Sequence, residues 1–363
     1  MRKYLFFITG LVMGGAERVM VTLANQFVRH GDAVRLVTMK AAESAYPLDP
    51  EVELVGANAV MDTSNPMKAA LSAASIVKGV AFYRRQLKEY QPDCVLSFLT
   101  YTNLIAVRCR SGNIPVVVSE RCDPRERKAS LIRQVNSVYP KADCIVCQSK
   151  TMEDYFHGVN AASRTAVIPN PVNAESIFTG DVAAREKVIV AAGRLSHQKN
   201  YGLLIRAFSL IRDQFPEHVL RIYGQGPEEE KLKQLIAELG LEKQVFLMGV
   251  RDNVMKAEAA ASLYVMSSNF EGFPNALAEA MASGIPVIST DFASGVAREL
   301  IADGVNGYVV PLRDEKAMAE KMRVILSDTA LQRRMSAENV KIRDTLSEEK
   351  IWLQWKELFE GFK

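Results

Sequence analysis

The stretch Glu271-Gly-Phe-Pro274-Asn275-Ala-Leu-Ala-Glu279 sets a loop glutamate before a Gly and a Pro and opens a helix near Asn275. N–H groups around the turn Phe273-Pro274-Asn275-Ala276 fall where a helix start leaves donors without partners, and these suit phosphate oxygens. Two acids beside such a site are poor anion ligands but good acceptors for hydroxyls: Glu279 for a vicinal pair, Glu271 for a sugar. The plainer reading is two surface glutamates on a loop and a helix.

Gly193-Arg194-Leu-Ser-His-Gln-Lys199-Asn200 places two cations in one loop after a strand. Arg can fork onto two oxygens and Lys adds a point charge, a combination suited to a diphosphate or simply to a solvated loop. His197 between them reads as exposed. Gly10-Leu-Val-Met-Gly14-Gly15-Ala-Glu17-Arg18 ends the first strand and opens a helix, where glycines admit a phosphate to backbone N–H groups or merely make a tight turn. The Gly-x-Gly-x-x-Gly arrangement of dinucleotide enzymes is absent. In Gly224-Gln-Gly226-Pro227, Pro at a first helical position and the acids Glu228–Glu230 already satisfy that helix end, so these glycines read as room for another loop or a ligand. Cys144 and Cys147 lie in an apolar strand-like run whose positions i and i+3 face opposite sides, which argues against metal or redox chemistry. Five cysteines at irregular spacing suit a reducing compartment.

These residues need elements to hold them. The 363 residues suggest two domains, and 48% hydrophobic with 24% charged residues excludes a disordered chain. The apolar run Tyr4–Met13 is about half the length of a membrane span. With Arg2-Lys3 before it and Gly14-Gly15-Ala16 after, it imitates a signal peptide, but reads as a first buried strand and its turn. Residues 1–170 hold 21 Lys/Arg and 15 Asp/Glu, whereas 171–363 hold 24 and 27. This balance gives little support to nucleic-acid binding. Short apolar strands alternate with helical stretches up to Ile168, and a second series runs from Val188 to Val310. The pattern predicts an α/β protein of two doubly wound, Rossmann-like domains: 1–170, a linker 171–186, and 187–345. The amphipathic Ile351–Phe362 must pack on something.

Gly14-Gly15-Ala16-Glu17-Arg18, Gly193-Arg194 with Lys199-Asn200, and Glu271-x7-Glu279 together resemble the retaining glycosyltransferases of family 4. Ser294-Gly295-Val296-Ala297-Arg298-Glu299-Leu300 and Asn306-Gly307 extend the match over nearly the whole chain. The resemblance is nearest to bacterial enzymes that extend polyprenyl-diphosphate-linked sugars in O-antigen, capsule and N-glycan assembly. It implies a GT-B fold, two such domains facing a central cleft, with the acceptor on 1–170, the donor on 187–345, and the helix 346–363 crossing back onto the first domain. It places Arg194, Lys199 and Glu271 in catalysis. It puts Gly14, Gly15, Gly224, Arg251, Phe273, Pro274, Asn275, Ala276 and Glu279 with them on the donor, and Arg18, Glu120, Arg121 and Arg125 on the acceptor.

The donor implied is a UDP-sugar, UDP-N-acetylgalactosamine first, with UDP-glucose, UDP-galactose and UDP-N-acetylglucosamine as competitors. No metal or other cofactor is implied. A nucleotide-sugar epimerase of the same fold is the rival activity. One departure stands out: where many relatives have Glu-His, this chain has Glu120-Arg121-Cys122-Asp123-Pro124, and an arginine stays protonated and cannot serve as a base. Residues 121–141 hold six Lys/Arg among Leu131, Ile132, Val135 and Val138. This reads either as a basic amphipathic segment for an anionic membrane surface or an acceptor diphosphate, or as a solvated helix. The expected location is cytoplasmic, peripheral on the inner face of the cell membrane.

Overall fold

The computed structural model describes residues 1–59, 66–182 and 184–362, the side chains of 66–73 and 124 excepted. It forms two compact units, Met1–Asn170 with Glu348–Lys363, and Pro171–Ser347.

Unit 1 is built on β1 (Lys3–Ile8), β2 (Ala33–Thr38), β3 (Glu53–Gly56), β4 (Cys94–Phe98), β5 (Val116–Ser119), β6 (Cys144–Cys147) and β7 (Thr165–Val167). All pairs are parallel, in the order β3-β2-β1-β4-β5-β6-β7. Its helices are α1 (Gly15–Arg29), α2 (Pro66–Tyr90), α3 (Thr100–Arg108), α4 (Ala129–Val138) and α5 (Lys150–Val159). The central strands are apolar on both sides because helices cover both faces; Tyr4 to Ile8 are all buried. The sheet grows in one direction from β1 to β3 and in the other from β4 onward, so the carboxyl ends of β1 and β4 flank a switch point.

Unit 2 repeats the plan with β8 (Glu186–Ala192), β9 (Val219–Tyr223), β10 (Val245–Gly249), β11 (Ala261–Met266), β12 (Val287–Thr290) and β13 (Gly307–Val310), parallel in the order β10-β9-β8-β11-β12-β13. Its helices are α6 (Tyr201–Ser209), α7 (Glu229–Glu238), α8 (Val254–Ala257), α9 (Asn275–Ala282), α10 (Val296–Leu300), α11 (Glu315–Ser327), α12 (Thr329–Asn339) and α13 (Ile342–Thr345). β8 and β11 are neighbours at this sheet's switch point, which brings the loops after them together.

The last helix, α14 (Glu348–Glu360), belongs to unit 1 and lies against α1. Phe359 meets Tyr4 at 5.1 Å and Phe27 at 5.6 Å between ring centroids, and Trp352 stacks on His30 at 3.5 Å.

Three expectations change. Residues 171–186, read as a linker, are fastened to unit 2: Ser283 Oγ accepts from the Phe178 N–H at 3.2 Å, Arg343 donates to the Phe178 carbonyl at 2.7 Å, and Arg185 donates to the carbonyls of Ala259 and Ala261. Pro227 sits in a turn two residues before α7 rather than at its first position. The apolar face of 121–141 is used inside the protein, with Val135, Val138 and part of Leu131 in the unit 1 core. Ile132 of the same face is half-buried and lies outside that core. β3, α5, α8 and α10–α13 were not picked out in the sequence.

Candidate functional site

In unit 2 the loops after β8 and β11 are laced together. The Asn269 N–H donates to the Gln198 carbonyl at 2.7 Å, and its side-chain amide donates to the His197 carbonyl at 2.7 Å. Asn200 donates to the Asn269 side chain at 3.1 Å, and Ser267 Oγ to the Lys199 carbonyl at 2.8 Å. This lacing holds Lys199 Nζ 2.7 Å from Glu271 Oε1. Ser268 Oγ donates to the same oxygen at 2.7 Å, and Gln198 Nε2 to Oε2 at 3.3 Å. Glu271 is only 8% exposed and Lys199 18%, so the pair is set into the loop junction.

Two glycines shape the floor. A Cβ at Gly193, whose φ is +147°, would stand 2.8 Å from Lys199 Cε and 3.0 Å from the Tyr201 hydroxyl. At Gly224, φ +139°, it would stand 2.0 Å from the Gly193 carbonyl oxygen. Both positions therefore exclude any side chain. Burial, then Glu271, pushes the Tyr201 phenol up, and its hydroxyl has no hydrogen-bond partner.

Pro274 caps α9 without a side-chain hydrogen bond. Phe273 and Pro274 are buried, while Asn275, Ala276 and Glu279 are half-buried. Ser294 Oγ donates to the Gly272 carbonyl at 3.1 Å, tying the Ser294-Gly295 stretch to this loop. Asn306 accepts from the Ala302 N–H and donates to the Leu300 carbonyl, so the Asn306-Gly307 pair shapes a turn. Arg194 and Arg251 are exposed. The structure thus brings Lys199 and Glu271 into direct contact. The partners missed in the sequence are Gln198, Ser267, Ser268 and Asn269; the polar run Ser267-Ser268-Asn269 just after a buried strand was the available signal.

In unit 1, Gly14 is extended, and its N–H donates to the Tyr46 hydroxyl at 2.9 Å. Gly15 begins α1 and is exposed; Arg18, one turn on, is half-buried. Glu120 is fully buried: it accepts from Thr100 Oγ1 at 3.1 Å, Tyr139 Oη at 2.8 Å and the Arg121 N–H at 3.2 Å. Burial raises its carboxyl, with Arg127 opposing. Arg121, 6% exposed, lies over the Phe98 ring at 3.6 Å with Trp355 at 5.9 Å, and donates to Asn170 Oδ1. Burial lowers it to about 9. Both are enclosed among β4, β5, α14 and Asn170. Arg125 forks onto Asp123 at 2.8 and 2.6 Å.

Cys144 and Cys147 are both fully buried, and burial holds the Cys144 thiol up to about 12. Among the described residues no group of three or more His, Cys, Asp or Glu could hold a metal ion, and no helix is long and apolar enough to cross a membrane.

Residues 13–176 match the family model described as Glycosyltransferase Family 4, and 173–341 the model described as glycosyl transferases group 1. A curated relative from Campylobacter jejuni is 31% identical over 347 residues, covering 92% of each chain. The chain belongs to glycosyltransferase family 4. That relative of the glycosyltransferase is named N-acetylgalactosamine-N,N'-diacetylbacillosaminyl-diphospho-undecaprenol 4-alpha-N-acetylgalactosaminyltransferase. A second from the same organism, an alpha-1,4-N-acetyl-D-galactosaminyltransferase, is 28% identical over 90% of each chain. Sucrose-phosphate synthase from Thermosynechococcus elongatus superposes with a TM-score of 0.85 at 20% identity, over 99% of each chain. Anabaena HepE in complex with UDP gives 0.80 at 22% identity, over 99% of this chain and 100% of that one. The two-domain Rossmann-like architecture is the GT-B fold of these structures.

Proposed function

We propose that this glycosyltransferase moves N-acetylgalactosamine from its UDP-sugar, with retention of configuration, onto a polyprenyl-diphosphate-linked glycan. The observation that carries the donor side is the laced Lys199–Glu271 pair beside the start of α9. The printed activities of the two Campylobacter relatives support the sugar and the acceptor.

In this reading Arg194 and Lys199, with N–H groups at the start of α9, stabilise the charge that develops on the leaving UDP. Glu271 accepts hydrogen bonds from the donor sugar and Glu279 from the ribose hydroxyls. Gly224 and Arg251 line the nucleotide. The acceptor oxygen bonds to the anomeric carbon as the bond to the diphosphate breaks on the same face. The acceptor proton passes to the departing phosphate oxygen. No metal takes part. The protein works at the inner face of the cell membrane, drawn by the lipid of its acceptor and by the exposed cations Lys128, Arg133 and Lys141.

The test is a screen of UDP- and GDP-sugars with a short polyprenyl-diphosphate-sugar acceptor, with and without chelator. Product is read by mass and its anomeric configuration by NMR. Turnover of UDP-N-acetylgalactosamine to an α-linked product in chelator is expected. Trapping of a glycosyl–enzyme adduct on an Asp or Glu would replace the one-step mechanism by a double displacement. Turnover without any acceptor would favour an epimerase or hydrolase.

A further inference from the structure

At the switch point of unit 1, between the carboxyl ends of β1 and β4, lies a cavity of about 220 Å³. Three charged side chains from three separate elements converge on it. Lys40 follows β2, and its stem crosses Gly10, where a Cβ would stand 3.1 Å from Lys40 Cδ. Glu17, on the first turn of α1, folds its carboxylate over Gly14, where a Cβ would stand 2.3 Å from Oε2. Arg127 reaches in from beyond β5: its Nε is buried without a partner, and its Nη2 lies 3.7 Å from Glu120, whose oxygens also serve Thr100 and Tyr139. Tyr101 stands at the rim, 59% exposed. The glycines thus make room for two charged side chains, and Glu120 keeps Arg127 in place from behind.

Resting on the proposed acceptor class, we infer that Glu17, Lys40 and Arg127 form an acceptor subsite that reads two features of one ligand. Lys40 and Arg127 hold a phosphoryl group of the acceptor's diphosphate, and Glu17 accepts a hydrogen bond from a hydroxyl of the sugar attached to it. Cations recognise phosphate by charge and fork geometry, and a carboxylate recognises hydroxyls as an acceptor only. The subsite therefore sets the preference for a sugar on a diphosphate over the same sugar without one. None of the acceptor residues expected from the sequence lies among the residues that line this cavity.

The experiment compares two acceptors, a short polyprenyl-diphosphate sugar and the neutral alkyl glycoside of the same sugar, in steady-state kinetics of the full chain. For Lys40→Ala and Arg127→Ala the KM of the diphosphate acceptor should rise about tenfold or more. Its kcat, the donor KM and the KM of the neutral acceptor should each stay within about threefold, so the two acceptors converge. Lys40→Arg and Arg127→Lys keep the charge and should restore most of the preference, which separates recognition from a folding defect. Glu17→Gln should lower kcat/KM for both acceptors alike. Unchanged discrimination in both alanine variants, or an equal loss on both acceptors, overturns the subsite while leaving the proposed function standing. Wild-type protein that glycosylates only the neutral acceptor overturns both.

Discussion

At the scale of single residues, the Lys199–Glu271 contact decides most about unit 2. Removing Lys199 leaves a carboxylate at 8% exposure with, among the described residues, Ser268 and Gln198 as its side-chain donors. Lys199→Ala should lower unfolding stability by about 2–3 kcal/mol, below the range for a fully buried pair because the lysine head is partly solvated. Adding Glu271→Gln should recover part of that loss, a coupling that urea denaturation of the two single variants and the double variant will read. Glu120 carries a second residue-scale prediction. Burial raises its carboxyl above the ordinary 4.5. A raised group contributes fully below its unfolded value, and that contribution is lost as pH rises through the folded one. The stability of wild type relative to Glu120→Gln should therefore decline as pH increases above 4.5, measured by urea titrations from pH 4 to 8. A difference that grows with pH would reverse this assignment. The sequence named Glu120 and Arg121 but not their enclosure: a charge count over 121–141 cannot tell a guanidinium stacked on Phe98 from one in water.

At the scale of elements, the apolar runs of β1, β4, β5 and β11 were legible because strands covered on both faces have little polar alternation. β3 was not, since Glu-Leu-Val-Gly is short and begins with a charge. The short helices α8, α10 and α13 have too few turns to show a period. The site was legible as residue types and spacing, Glu271 with Glu279 and Arg194 with Lys199. It was not legible as contacts, because Lys199 and Glu271 are 72 residues apart and meet only through the β8–β11 pairing. That pairing also explains the loop glycines. Gly224→Ala would force a Cβ to 2.0 Å from the Gly193 carbonyl at a φ of +139°. A loss of about 2–4 kcal/mol is expected from overpacking and backbone strain together, seen as a lowered Tm by calorimetry. Gly112→Ala, at a φ of +56° with nothing within 4 Å, meets only the milder left-handed backbone cost and should lose only about 1 kcal/mol.

At the scale of the whole molecule, both tryptophans of the chain, Trp352 and Trp355, lie on α14 and are buried in unit 1. Tryptophan fluorescence should therefore follow the unfolding of unit 1, whereas far-UV circular dichroism follows both units. UDP at about 100 times its Kd should stabilise unit 2 by about 2.7 kcal/mol. It should shift the dichroism transition and leave the fluorescence transition in place; a shift in fluorescence alone would move the nucleotide to unit 1. The route of α14 has another outcome, set by the order in which the chain is made. Tyr4 and Phe27 emerge from the ribosome early, but the ring that covers them, Phe359, is made only after all of unit 2. At about 5–20 residues per second that interval is on the order of ten seconds or more. Unit 2 has its complete sequence first, and the amino-terminal unit is the later of the two to close its core.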